Sequence, residues 1–165
     1  MKQDVFMTEE QNEDIIVPSK KIKEMKPKEK WNDLGLKPTA TFVGVAWICL
    51  GVGLISYCIG LWDSIMLLSE KGFYFTLILF GLFSVISVQK CVRDRVEGIE
   101  VTDIYYGISW FTTICSVALL IIGLRNADIS LSEKGFFGMC YILANFAAVA
   151  VQKNTRDTKL LSKMD

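Results

Sequence analysis

Two polar clusters occur twice in this chain, and they hold most of the residues whose types could do chemistry beside its apolar segments. Ser69, Glu70, Lys71 and Gly72 return as Ser132, Glu133, Lys134 and Gly135, at an offset of 63 residues. Gln89, Lys90, Arg93 and Asp94 return at the same offset as Gln152, Lys153, Arg156 and Asp157. A carboxylate beside an ammonium, presented twice, has the chemistry to bind a solute or partner at the mouth of a bundle. The same residues also make a helix start: a serine oxygen accepts from the free amides of a first turn, and the glutamate lies where the helix dipole favours negative charge. Arginine and lysine in a last turn suit the dipole and reach lipid phosphates, or form a docking surface once symmetry brings Arg93 and Arg156 together. On a continuous helix Gln89 shares a face with Arg93, and Lys90 with Asp94.

Much other chemistry is disfavoured. The chain has no histidine, the commonest metal ligand and general base. Its five cysteines, Cys49, Cys58, Cys91, Cys115 and Cys140, share no C-x-x-C spacing and read as small packing residues. No Asp, Glu, Lys or Arg falls within the apolar stretches, whereas a proton relay or ion pathway needs one there. Asn145 is the one amide well inside, and an interhelical hydrogen bond is expected of it. No catalytic, cofactor-binding or metal-binding residue is therefore assigned, and no enzyme is expected. Eighteen basic residues cancel eighteen acidic ones, which removes any bulk electrostatic case for nucleic acid.

The elements that must position these clusters are membrane spans. Residues 41–62, 72–89, 104–124 and 135–152 carry no charge, in a chain that is 52% apolar. At about 1.5 Å per residue the first stretch covers roughly 33 Å, enough for a hydrocarbon core of about 30 Å. The second and fourth reach roughly 25 Å and need their flanks to snorkel. No polar face alternates with the apolar one, as a soluble bundle would require. The expected fold is all-α: a polytopic membrane protein with four transmembrane helices, arranged as two tandem parallel-repeat hairpins. The boundaries follow the charge pattern: a polar, disordered arm at 1–38, hairpins at 39–95 and 105–158, a connector at 96–104 and a tail at 159–165. Both copies enter the bilayer in the same sense, so a pseudo-two-fold axis along the membrane normal relates them, like a covalently linked dimer.

Orientation follows from the lysines and arginines. The arm turns from acidic to lysine-rich before the first span, which predicts an uncleaved signal-anchor. Lysines and arginines collect in the arm at 20–38, before the connector at Lys90, Arg93 and Arg95, and at the chain's end at Lys153, Arg156, Lys159 and Lys163, while both short turns are poor in positive charge, so both termini are expected in the cytoplasm. Gly44 with Gly51, and Gly53 with Gly60, stand at heptad spacing and offer close backbone approach. Trp47, Trp62, Tyr74, Tyr105, Tyr106 and Trp110 fall where an interfacial aromatic belt would lie.

Longer strings sharpen this picture. Leu68-Ser69-Glu70-Lys71-Gly72-Phe73-Tyr74 and Val88-Gln89-Lys90-x-x-Arg93-Asp94, with their duplicates, resemble the YiaA/YiaB family. So do K-P-T-A-x-F-V-G at 37–44 and G-I-x-V-T-x-I-Y-Y-G at 98–107. The likeness covers residues 37–157 and implies tandem two-helix domains in a bacterial inner membrane. It supplies no catalytic residues. The functional expectation is a non-enzymatic structural or accessory membrane protein acting through helix–helix association. Its partners would be the lipid bilayer and a homo-oligomer or other membrane proteins. The alternative is a small oligomeric channel or transporter for a neutral or weakly polar solute.

Overall fold

The computed structural model describes residues 38–162, with side chains as far as Lys159. The expectation of a disordered arm lies outside the described residues. Four helices follow in order: α1 (Ala40–Asp63), α2 (Leu68–Val96), α3 (Asp103–Asn126) and α4 (Leu131–Ser162). The shortest have 24 residues, about 36 Å of helix, and all four are long and apolar enough to cross a membrane.

Local chemistry sets the helix ends. The Thr39 hydroxyl accepts from the amide of Phe42 at 3.2 Å and caps α1. Helix α2 starts one residue before Ser69, and the cap is made by Glu70, whose carboxylate accepts the Leu67 amide at 2.8 Å. In α4 the cap is Ser130: its hydroxyl accepts the Glu133 amide at 3.2 Å, while Glu133 accepts the Ser130 amide at 2.8 Å. Ser69 and Ser132 are thus exposed first-turn residues, not the caps that the sequence pattern predicts. Helix α2 runs on through its charged motif to Val96, where Gly98 adopts φ 75° and the Ile99 amide returns to the Asp94 carbonyl at 2.8 Å. Glycine takes this left-handed turn without a Cβ penalty, so the chain reverses there rather than at the arginines. Arg95 then pairs with Asp103 and lies 3.9 Å above the Tyr106 ring, tying α2 to the start of α3.

The packing crosses between the hairpins. A Cβ on Gly53 would fall 2.9 Å from the Ala144 nitrogen, and one on Gly60 would fall 2.5 Å from Phe136. Residue numbers fall along α4 as they rise along α1, so the two helices run antiparallel. Helices α2 and α3 pair likewise: Cys91 meets Ser109 at 3.5 Å, and a Cβ on Gly123 would fall 2.9 Å from Phe73. Along α2 and α4 the numbers rise together, with Gly81 against Tyr141 and the Gln89 amide donating to the Val149 carbonyl at 3.0 Å. These two run parallel. The first helix of each hairpin therefore leans chiefly on the second helix of the other. Gly60 on Phe136 and Gly123 on Phe73 are the same contact, 63 residues apart.

Tyr74 and Phe137 occupy equivalent places in the two copies and meet across this approximate two-fold axis, ring centroids 6.1 Å apart and stacked. Tyr57 sets its ring edge-on to Phe137 at 5.4 Å and donates to the Tyr74 carbonyl at 3.0 Å. Tyr74 is therefore central core, not part of an interfacial belt; Trp62, 84% exposed, is placed as a belt residue would be. Asn145 donates to the Tyr141 carbonyl of its own helix at 2.8 Å, so the expected interhelical bond is absent among the described contacts. Small hydroxyls face inward, with Ser84, Ser87 and Ser109 each bonded to the carbonyl four residues back. Large apolar residues such as Ile48, Phe83 and Phe111 face outward. That inversion is stable only where the surrounding solvent is lipid.

Candidate functional site

At the turn end, the repeated Ser-Glu-Lys-Gly clusters are engaged with the turns themselves. Glu70 and Glu133 close the helix starts described above. The Lys71 ammonium donates to the Trp62 carbonyl at 2.8 Å, neutralising the last carbonyls of α1. Gly72 and Gly135 meet no atom where a Cβ would be. A cavity of about 270 Å³ opens beside Ser69 and Glu70, and its far wall is Gly123, Asn126 and Ala127 at the end of α3.

At the connector end each repeated Arg-Asp becomes a lateral ion pair. Asp94 accepts from Arg93 Nε at 2.8 Å, and Asp157 accepts from Arg156 Nε and Nη2 at 3.1 and 2.9 Å. Adjacent arginines therefore engage these carboxylates, and the i,i+4 partner foreseen for Asp94, Lys90, is exposed instead. Both aspartates are buried, which explains the arrangement: a buried carboxylate must keep a charged donor at hand. Arg156 also reaches Glu97 through Nη1 at 2.8 Å, linking the end of α4 to the end of α2.

Beside these ion pairs a groove of about 700 Å³ opens and extends into the spans as far as Val85. Helix α2 lines it from Val85 to Glu97, α3 contributes Trp110 and Thr113, and α4 contributes Val149, Gln152, Lys153 and Arg156. Arg93 and Arg156 do share one site, as the repeat symmetry leads one to expect. Gln89 and Gln152 share it too. Lys90 does not line it, although its twin Lys153 does. A smaller cavity of about 270 Å³ adjoins along Val85 and Val149, with Asn145 and Ser116 in its wall.

Two segments, 42–94 and 105–157, match the YiaA/B two-helix domain. The chain belongs to the YiaA/B two-helix family. The matched segments lie in the register of the internal repeat, and each contains one hairpin. Among relatives in Escherichia coli K12, the inner membrane protein YiaA is 54% identical over 113 residues, 68% of this chain and 78% of that protein. The inner membrane protein YiaB is 27% identical over 105 residues, 62% of this chain and 87% of that protein. No solved structure matches. With four membrane-crossing helices and these relatives, the chain is a multi-pass inner-membrane protein.

Glu97, Trp110 and Thr113 line the groove but are not prominent in the sequence motifs. Glu97 carried a signal all the same: its counterpart in the second repeat is Leu160, so the charge is a departure from the duplication. Thr113 likewise stands where α1 has Leu50. The groove thus combines the shared motif residues with positions at which the two copies differ.

Proposed function

We propose that this member of the family is a non-enzymatic accessory component of the inner membrane that works through helix–helix association, with a second copy or with other membrane proteins. The supporting observation is a division of labour among the glycines of α1. Gly53 and Gly60 are occupied by α4, whereas Gly44 and Gly51, at the same spacing, meet nothing within 4 Å. Small residues on a lipid-facing stripe allow another span to approach closely and gain dispersion contacts that lipid chains supply less well. Native mass spectrometry from nanodiscs should show a defined oligomer or complex, and Gly44→Leu with Gly51→Leu should shift it to monomer. A wild-type protein that is strictly monomeric and partner-free would end this assignment. A channel is less well supported, since the groove and the turn-end cavity share no lining residue.

The orientation belongs to the same proposal. Lys90, Arg93, Arg95, Lys153 and Arg156 gather at the connector end, which the positive-inside rule places in the cytoplasm. A single engineered thiol at Glu100 should react with an impermeant maleimide only after the membrane is opened. Labelling of intact cells with only the outer membrane permeabilised would reverse the orientation.

A further inference from the structure

The groove at the connector end has the makings of a lipid site. Its deeper wall is apolar: Val85, Val88 and Val92 lie on successive turns of α2, and Val149 faces them from α4. From Val85 to Val96 the wall extends for about 16 Å along the helix, enough for much of an acyl chain. Its mouth is polar and carries Arg93, Lys153, Arg156 and Glu97. Between the two zones sit Gln89 and Gln152, and the side-chain oxygen of each is buried with no hydrogen-bond partner among the described residues. Two unpartnered acceptors, carried by side chains that line a groove beside three cations, form a specific pattern: a buried acceptor is costly without a donor, and a small turn of either carboxamide would present it to one.

Charge complementarity narrows the occupant. Arg93, Lys153 and Arg156 are balanced by Glu97 together with the Asp94 and Asp157 that pair with the arginines. A locally neutral mouth gains little from net negative charge on a ligand. It offers cations to a phosphate and acceptors to a group rich in N–H donors. We propose that the groove holds one membrane phospholipid whose headgroup joins a phosphate to a primary ammonium. The phosphate lies at Lys153 and the arginine edges, the ammonium donates to the Gln89 and Gln152 oxygens near Glu97, and one chain runs along the valines. The second repeat does not duplicate this arrangement, since Thr155 and Leu160 replace Val92 and Glu97. Association through α1 neither requires this site nor is required by it.

The test is lipid retention by the full chain in nanodiscs of equal chain composition, read by native mass spectrometry. Phosphatidylethanolamine and phosphatidylcholine carry the same net charge and the same phosphate, but only the first has N–H donors. One phosphatidylethanolamine should be retained about tenfold more strongly than phosphatidylcholine, the scale of losing a charged hydrogen bond. Gln152→Leu should erase that preference. Lys153→Gln, at an exposed position that keeps the fold, should weaken retention of both lipids, while Lys90→Gln at the twin position outside the groove should change neither. Equal retention of the two lipids would overturn the proposal. So would tighter retention of phosphatidylglycerol, which would show selection by net charge, or a Lys153→Gln variant that behaves like Lys90→Gln.

Discussion

Replacing Phe137 by alanine should destabilise the protein by about 3 kcal/mol or more, the usual range for removing a buried phenyl ring. The ring is 1% exposed and touches three aromatic neighbours: Tyr57 at 5.4 Å, Phe136 at 5.7 Å and Tyr74 at 6.1 Å. It is the place where α1, α2 and α4 meet, so its loss leaves a cavity that no single helix can collapse to fill. In lipid the cost is lost dispersion contact more than lost burial, because the unfolded spans are already in an apolar solvent. Tyr57→Phe supplies the contrast. It removes only the hydroxyl that donates to the Tyr74 carbonyl, worth about 0.6 kcal/mol by typical membrane measurements. Unfolding by sodium dodecyl sulfate titration in bicelles measures both, and a Phe137→Ala cost below that of Tyr57→Phe would show that the aromatic centre is not where stability resides.

Gly53→Val should separate α1 from α4. The atoms nearest a new Cβ are the Ala144 nitrogen at 2.9 Å and Cα at 3.1 Å, which belong to backbone and cannot rotate away. Overpacking of this kind costs roughly 1–3 kcal/mol in cores that can adjust, and a helix backbone adjusts least. The same titration should show a loss at the top of that range, with disulfide cross-linking between engineered cysteines on α1 and α4 falling in parallel. Gly72→Ala, where a Cβ meets nothing, should instead leave stability unchanged or raise it by up to about 1 kcal/mol. If the two variants behave alike, the α1–α4 contact is looser than the structure has it.

Much of this architecture was legible along the chain because it depends on one-dimensional quantities. Runs without charge give the spans, and the 63-residue duplication gives two hairpins inserted in the same direction. Even the cross-hairpin contact left its mark, since Phe73 and Phe136 belong to the repeated strings and Gly60 and Gly123 stand at the same 63-residue offset. Other readings failed where a local rule had a competitor. Ser69 has the chemistry of a cap, yet Glu70 reaches the free amide first. Tyr74 sits at a span boundary in the sequence, yet the two-fold axis passes beside it and draws its ring inward. Asn145 has the Tyr141 carbonyl of its own helix within reach, and its amide donates there rather than to another helix.

The sequence alone determined the solvent, the number of spans and the sites where polar groups gather, because the cost of placing a charge in lipid is decided residue by residue. The tertiary structure decided which helices touch and therefore what the polar groups enclose. A repeat fixes that Arg93 and Arg156 are equivalent but not the distance between them. Only the crossing of α1 onto α4 and α3 onto α2 leaves a groove over the parallel pair, with Gln89 and Gln152 in its wall. Pairing in a bilayer is chosen by shape, where a glycine admits a ring, and shape exists only once helices are side by side.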